Sequence, residues 1–157
     1  MNKVTIGYLL EPHPQHSLPG HPEHPNRFSA FKKLTSLPIA DSLHELITIP
    51  IDEKFLESVH HGNYLDHVRQ VIAQAPARLD MGDTYVTKES WGAALGSAAA
   101  ALTAADHGLT KYQIGFSLSR PPGHHATQQA ALGFCLLNNI ALAARHLQRQ
   151  SLERILI

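Results

Sequence analysis

The chain has 157 residues, 43% of them hydrophobic and 17% charged, with Lys plus Arg equal to Asp plus Glu at 13 each and a formal net charge of zero. This describes one soluble globular domain able to bury a core. It argues against a nucleic-acid partner, which requires a basic surface. No apolar run approaches the roughly 20 residues that span a membrane, and the run from Met1 to Leu10 is short for a signal peptide. One cysteine, Cys135, excludes an internal disulfide and fits a reducing compartment, so the expected location is the cytoplasm.

Val4, Ile6 and Tyr8 alternate as in a strand. From Glu11 to Pro25 the prolines Pro12, Pro14, Pro19, Pro22 and Pro25 impose a loop. Asn26 is placed to cap a helix with Phe28, Phe31 and Leu34 on one face. Leu46, Ile47 and Ile49 suggest a second strand, ended by Pro50. Asp52 caps a short helix through Phe55, Leu56 and Val59. Asn63 caps another, with Tyr64, Leu65, Val68, Val71 and Ile72 on one face and Pro76 beyond its end. Leu79 to Thr87 reads as loop, and Ser90 to Ala105 as a small-residue helix able to lie close against a sheet. Ile114 to Leu118 is a third strand. Asn138 or Asn139 starts a helix with Ile140, Ala144 and Leu147 inward, and Leu152 to Ile157 reads as a fourth, buried strand. Alternating strands and helices predict an α/β fold with a mostly parallel sheet, unfinished where the sequence stops.

The segment Arg120-Pro121-Pro122-Gly123-His124-His125-Ala126 carries the chemistry, followed by Gly133-Phe134-Cys135-Leu136-Leu137-Asn138-Asn139. The third strand precedes it, and α/β sheets bind ligands beyond the carboxyl ends of their strands. Adjacent histidines there suit proton transfer; the structural alternative is that they satisfy backbone groups in a tight loop.

This segment resembles the signature of the histone deacetylase family, most closely the bacterial branch with acetylpolyamine amidohydrolases and acetoin-utilisation-type proteins. His21-Pro22-Glu23-His24-Pro25-Asn26-Arg27, Val59-His60 with Tyr64-Leu65, Asp83-Thr84 and Ser90-Trp91 fall in the expected order. The resemblance implies an arginase/deacetylase-like three-layer fold and a zinc-dependent deacetylase that hydrolyses an N-acetyl amide, acetyl-lysine or acetylpolyamine, to acetate and amine. It implies His124 and His125 as catalytic proton carriers that do not bind the metal. Gly133 and Phe134 become walls of a narrow acyl tunnel, Phe134 being otherwise simply core. Arg27 and Cys135 are assigned to the acetate channel or to loop support; a surface arginine is the alternative for the first.

Other readings of these residues compete. Cys135 with His and Asn has the parts of a thiol nucleophile site, but its apolar run favours a buried thiol. Asn138 and Asn139 suit helix capping first, with loop orientation second. Asp80 and Asp83 belong to the rim of the entrance in the family, and equally to turn formation. The spacing of His13, His16, His21 and His24 fits no common zinc pattern.

The family's zinc ligands, two aspartates and a histidine, all follow the His-His block, whereas here only one acid, Glu153, comes after His125. The family's tyrosine is likewise missing, since no tyrosine follows Tyr112. The expectation is therefore the N-terminal portion of a single deacetylase domain, residues 1–157, with no metal ligands of its own and no activity alone. Two alternatives stand beside it: a non-catalytic fragment or pseudoenzyme, and a binuclear-manganese ureohydrolase.

Overall fold

A computed structural model describes residues 4–110 and 113–157, except the side chains at 32 and 35. Met1, Asn2 and Lys3 of the N-terminal run read above, and Tyr112, lie outside the described residues.

Strand β1 (Thr5–Glu11) is central. It pairs in parallel with β2 (Leu43–Glu45) on one side and with β5 (Gln113–Ser119) on the other. A short antiparallel hairpin, β3 (Ala77–Arg78) with β4 (Tyr85–Val86), stands apart. Three α-helices follow the predicted order: α1 (Gly62–Ala73), α2 (Ser90–Gly108) and α3 (Asn139–Arg149). This is the α/β class with a parallel sheet that the alternation predicts.

The alanines of α2 explain its place. Ala100 and Ala104 pack on Leu9 of β1, all buried. Across the contact Gly115 of β5 has no side chain, and a Cβ there would run into the backbone of Ala104. Small residues on both partners let helix and sheet approach to backbone distance. A larger apolar cluster joins Leu56, Leu65, Val68, Leu136, Leu137 and Leu142. Each such side chain, fully buried, contributes about 1.5–3 kcal/mol. Leu136 and Leu137 carry the end of the site loop into this core.

Several expectations need correction. The helix expected from Asn26 is a 3-10 segment, Pro25–Ser36. Its cap is His24, whose Nδ1 accepts from Asn26 N–H at 3.2 Å. Pro25 fits the first helical position, where a missing N–H costs nothing. The second strand lies at Leu43–Glu45 rather than 46–49, and Ile47 and Ile49 are 90% and 62% exposed. Pairing with β1 sets that register; the apolar run does not. His61, not Asn63, occupies the cap of α1, without a side-chain bond. Within the span expected as loop, 79–87, Tyr85 and Val86 form strand β4, paired with Ala77 and Arg78. In α3 the inward residues are Leu142 and Ala143, while Ile140 is exposed. Residues 152–157 form no strand, and Leu156 and Ile157 are exposed. Apolar β-branched composition supplies propensity, but a strand exists only with a ladder partner. The Asp52 cap is as expected: its carboxylate accepts from Lys54 N–H at 3.0 Å.

The sheet places the site. β1 and β5 are adjacent and parallel, with Glu11 opposite Ser119. The loops leaving their carboxyl ends therefore emerge side by side, and Arg120 N–H donates to Glu11 O at 3.1 Å. One loop carries residues 12–25, the other residues 120–138.

Candidate active site

The two loops are joined by a buried ion pair. Arg120 is 1% exposed, and so is Glu23. The guanidinium meets the carboxylate in a fork, Nε on Oε1 and Nη2 on Oε2 at 2.6 Å. The remaining donors reach Pro12 O at 2.6 Å and His16 O at 2.8 Å. Tyr85 of β4 donates to Glu23 O at 3.1 Å, and burial pushes its hydroxyl up to about 12. His16 stacks on Tyr85 at 4.6 Å and its Nδ1 lies 2.7 Å from Ser90 Oγ. Burial drives His16 down to about 4, against the pull of Glu23, so its ring is neutral at pH 7. An arginine whose donors are saturated in this way fixes where its loop begins.

The next residues are held as tightly. The Arg120–Pro121 peptide is cis. Ser97 of α2 donates to Pro121 O at 2.8 Å, and Asn139 Nδ2 donates to Ser97 Oγ at 2.8 Å. Gly123 is required by contact, since a Cβ there would stand 2.5 Å from Asn139 N. Ala126 is buried. Between these anchors the His124 and His125 side chains turn outward, exposed, with ring centroids 4.2 Å apart.

The second half of the site is a tight turn. Gly133 and Phe134 have φ of +55° and +71°. Glycine adopts this region freely, whereas Phe134 is held there by its surroundings. Its N–H donates to Thr84 Oγ1 at 3.1 Å, and Thr84 donates to Asp80 Oδ2 at 2.6 Å. Burial would raise the Asp80 carboxyl, but the Thr84 hydroxyl and the N–H groups of Thr84 and Gly82 outweigh it and hold the group below its usual value. His21 sets its ring edge-on to Phe134 at 4.8 Å, and its Nε2 lies 3.1 Å from Asp83 O. Asp80 thus braces the turn beneath Phe134 through Thr84, and Asp83 meets His21 through its backbone carbonyl.

Cys135 is fully buried. Its sulfur accepts from His125 N–H and its thiol donates to Gly133 O, both at 3.4 Å. Burial raises the thiol above its ordinary value, which favours the neutral form over a nucleophilic thiolate. It supports the loop. Asn138 does both jobs weighed for it: Oδ1 caps α3 at Ala141 N–H, 3.0 Å, and Nδ2 donates to Ala126 O, 2.7 Å. Asn139 is the first helical residue rather than the cap.

These parts enclose one cleft of about 570 Å³, lined by Pro22, Glu23, Arg27, Pro122, His124, His125, Gly133 and Phe134. Arg27 is 60% exposed at its rim, with Nη1 3.8 Å from Glu23 Oε1. Arg27, the histidine pair, Gly133 and Phe134 are therefore brought together, and Cys135 sits beneath them. Sequence reasoning passed over Arg120, Glu23 and Thr84 as site residues. All three already stood in the segments that carry the family resemblance, and that placement was the available signal.

A catalytic metal does not fit the described residues by themselves. Among them no three His, Cys, Asp or Glu side chains converge to hold an ion. The one carboxylate lining the cleft, Glu23, is engaged by Arg120. His16, His21 and His24 of the Pro-rich loop are each committed to a hydrogen bond within the protein. What this chain itself presents to the cleft is a pair of imidazoles, an arginine and an apolar wall.

A family model described as histone deacetylase domain matches residues 21–157. The chain is 35% identical to a probable deacetylase of Methanothermobacter thermautotrophicus over 85% of its own length and 40% of that protein. It is 46% identical to an acetylpolyamine amidohydrolase of Burkholderia pseudomallei over 52% of its length and 24% of that protein. The crystal structure of the HDA15 HD domain superposes with a TM-score of 0.79 at 26% identity, covering 94% of this chain and 44% of that one. The chain spans about half the length, or less, of the curated relatives it matches. It belongs to the histone deacetylase domain family.

Proposed function

We propose that residues 1–157 are the N-terminal portion of a deacetylase domain that hydrolyses an N-acetyl amide to acetate and a free amine. The observation that carries this reading is the single cleft holding His124, His125, Arg27, Gly133 and Phe134. A paired imidazole lining a cleft supplies both directions of proton transfer that amide hydrolysis needs. One ring takes a proton from the attacking water, and the other gives one to the leaving amine. Gly133 leaves room beside His125 for a slim acyl stem, since a Cβ there would stand 2.8 Å from His125 Cδ2. Phe134 offers an apolar wall to the aliphatic part of the substrate. Arg27, exposed at the rim, is suited to receive the acetate carboxylate.

The substrate class is an acetylated small amine or an acetyl-lysine, in keeping with the name of the Burkholderia relative. The complete domain is zinc-dependent on this reading, with the ligands supplied outside the residues described. The proposed location is the cytoplasm; no helix among the described residues is long and apolar enough to cross a membrane.

The experiment compares two lengths. The complete domain with zinc is expected to release acetate and amine in equal amounts from acetyl-lysine or acetylpolyamine. Residues 1–157 with zinc are expected to show no turnover above a His124→Ala/His125→Ala control. Turnover by the shorter chain contradicts the division of the site; no turnover by the complete domain on either substrate contradicts the deacetylase reading.

A further inference from the structure

One buried side chain outside the cleft ties down the chain on both sides of the Gly133–Phe134 wall. His60, between the 3-10 segment Glu53–Ser58 and α1, is 1% exposed. Its Nδ1 lies 2.9 Å from Thr127 O, and its Nε2 lies 2.9 Å from the N–H of Asn138. A backbone N–H only donates, so Nε2 must be the unprotonated acceptor. Nδ1 then carries the proton and donates to Thr127. The chain next to His60 adds two further bonds. His61 N–H donates to Gln128 O at 3.0 Å, and Tyr64 OH donates to Leu136 O at 2.6 Å. Residues 60–64 therefore grip 127–128 and 136–138, the two ends of the segment that carries the wall. Asn138 Nδ2 closes the frame on Ala126 O, one residue beyond His125. Neither His60 nor Tyr64 lines the cleft.

We propose that His60 is a positioning residue: as a fixed donor–acceptor bridge from Thr127 O to Asn138 N, it sets the spacing between the His124–His125 pair and the Gly133–Phe134 wall. The use made of that spacing rests on the deacetylase reading; the spacing itself does not.

Histidine-selective nitrogen NMR on the protein reads the tautomer. His60 is expected as the neutral Nδ1–H form, and an Nε2–H or doubly protonated ring at neutral pH overturns the proposal. Substitutions then separate the two bonds. His60→Gln places an amide oxygen near the Nε2 position, His60→Asn an amide nitrogen near Nδ1, and His60→Ala neither. Exchange of the Asn138 amide proton is expected to quicken about tenfold in His60→Ala and His60→Asn, the scale of one lost buried hydrogen bond, and to change far less in His60→Gln. A wild-type exchange rate in folded His60→Ala overturns the proposal. Should His60→Ala fail to fold, the Gln–Asn contrast and the wild-type tautomer decide the matter alone. In the complete domain His60→Ala is expected to lower kcat by about a hundredfold with little change in KM, and His60→Gln to recover part of it. An unchanged kcat overturns the positioning role. Absence of any deacetylase turnover in the wild type, with tautomer and exchange as expected, supports the bridge and sinks only the functional reading.

Discussion

The floor and the mouth of the cleft are built on opposite terms. At the floor, Arg120, Glu23, His16 and Tyr85 are all buried, and the guanidinium is saturated with carboxylate and carbonyl acceptors. At the mouth, His124 and His125 are exposed, and neither ring nitrogen has a hydrogen-bond partner among the described residues. The floor is over-determined, so its removal should cost folding. On the proposed function the mouth exchanges protons with the substrate, so its removal should cost chemistry and leave folding intact. A loop that holds outward-facing side chains steady needs this division, because precision in the imidazoles has to come from backbone anchors beneath them.

The sharpest contrast is between function and fold at the mouth. In the complete domain His125→Ala is expected to lower kcat by about two to four orders of magnitude, the scale of a general acid–base group. Melting temperature and zinc content should hardly change. Loss of zinc in step with activity would reassign His125 as a ligand.

At the floor the expectation reverses. Arg120→Ala leaves the buried Glu23 carboxylate with the longer Arg27 contact at 3.8 Å and the Tyr85 hydroxyl, and loss of one partner of a buried pair costs about 3–5 kcal/mol. Chemical denaturation of the protein measures this directly. A shift below about 1 kcal/mol, the usual worth of an exposed pair, would mean that the ion pair is not buried in solution.

The floor also carries a pH signature. His16 titrates near 4 when folded, because burial disfavours its charged form, against about 6.5 for an ordinary histidine. Between these values the unfolded chain binds the extra proton. Stability is therefore lost as pH falls from about 6.5 toward 4, on the order of 2–3 kcal/mol. His60 and His13, both lowered by burial, act in the same direction. Denaturation midpoints at several pH values, wild type against His16→Gln, check this: the substitution should flatten the slope. An unchanged slope would place the acid sensitivity elsewhere.

The smallest effect is expected where floor and mouth meet. Gly133→Ala forces a side chain into φ +55° and toward His125. It should cost about 1–3 kcal/mol and displace the imidazole, so that activity falls more than stability alone explains. Equal losses of the two would show that Gly133 serves the turn only.

The same contrast separates what the sequence revealed from what it hid. The mouth was legible because its parts are contiguous: His124, His125, Gly133 and Phe134 lie within one stretch whose proline and glycine spacing marks a rigid loop. Helix α1 was legible through its apolar periodicity and α2 through its small residues, whereas the apolar positions expected for α3 did not mark its buried face. The floor was hidden because Glu23 and Arg120 are 97 residues apart, and only the parallel pairing of β1 with β5 makes them neighbours. Thr84 beneath Phe134 was hidden for the same reason, at a separation of 50 residues. The misplaced β2 and the absent strand at 152–157 share one cause. Strand propensity is local, whereas register and pairing depend on a partner that propensity does not name.

The proposed function requires His124 and His125 to move the protons of amide hydrolysis in this cleft. Its most direct test is acetate release from acetyl-lysine and acetylpolyamine by the complete domain, wild type against His124→Ala/His125→Ala, with thermal stability recorded in parallel. The account predicts a double variant as stable as the wild type, with turnover at least as low as that of the His125→Ala variant. A folded double variant that keeps wild-type turnover would contradict it.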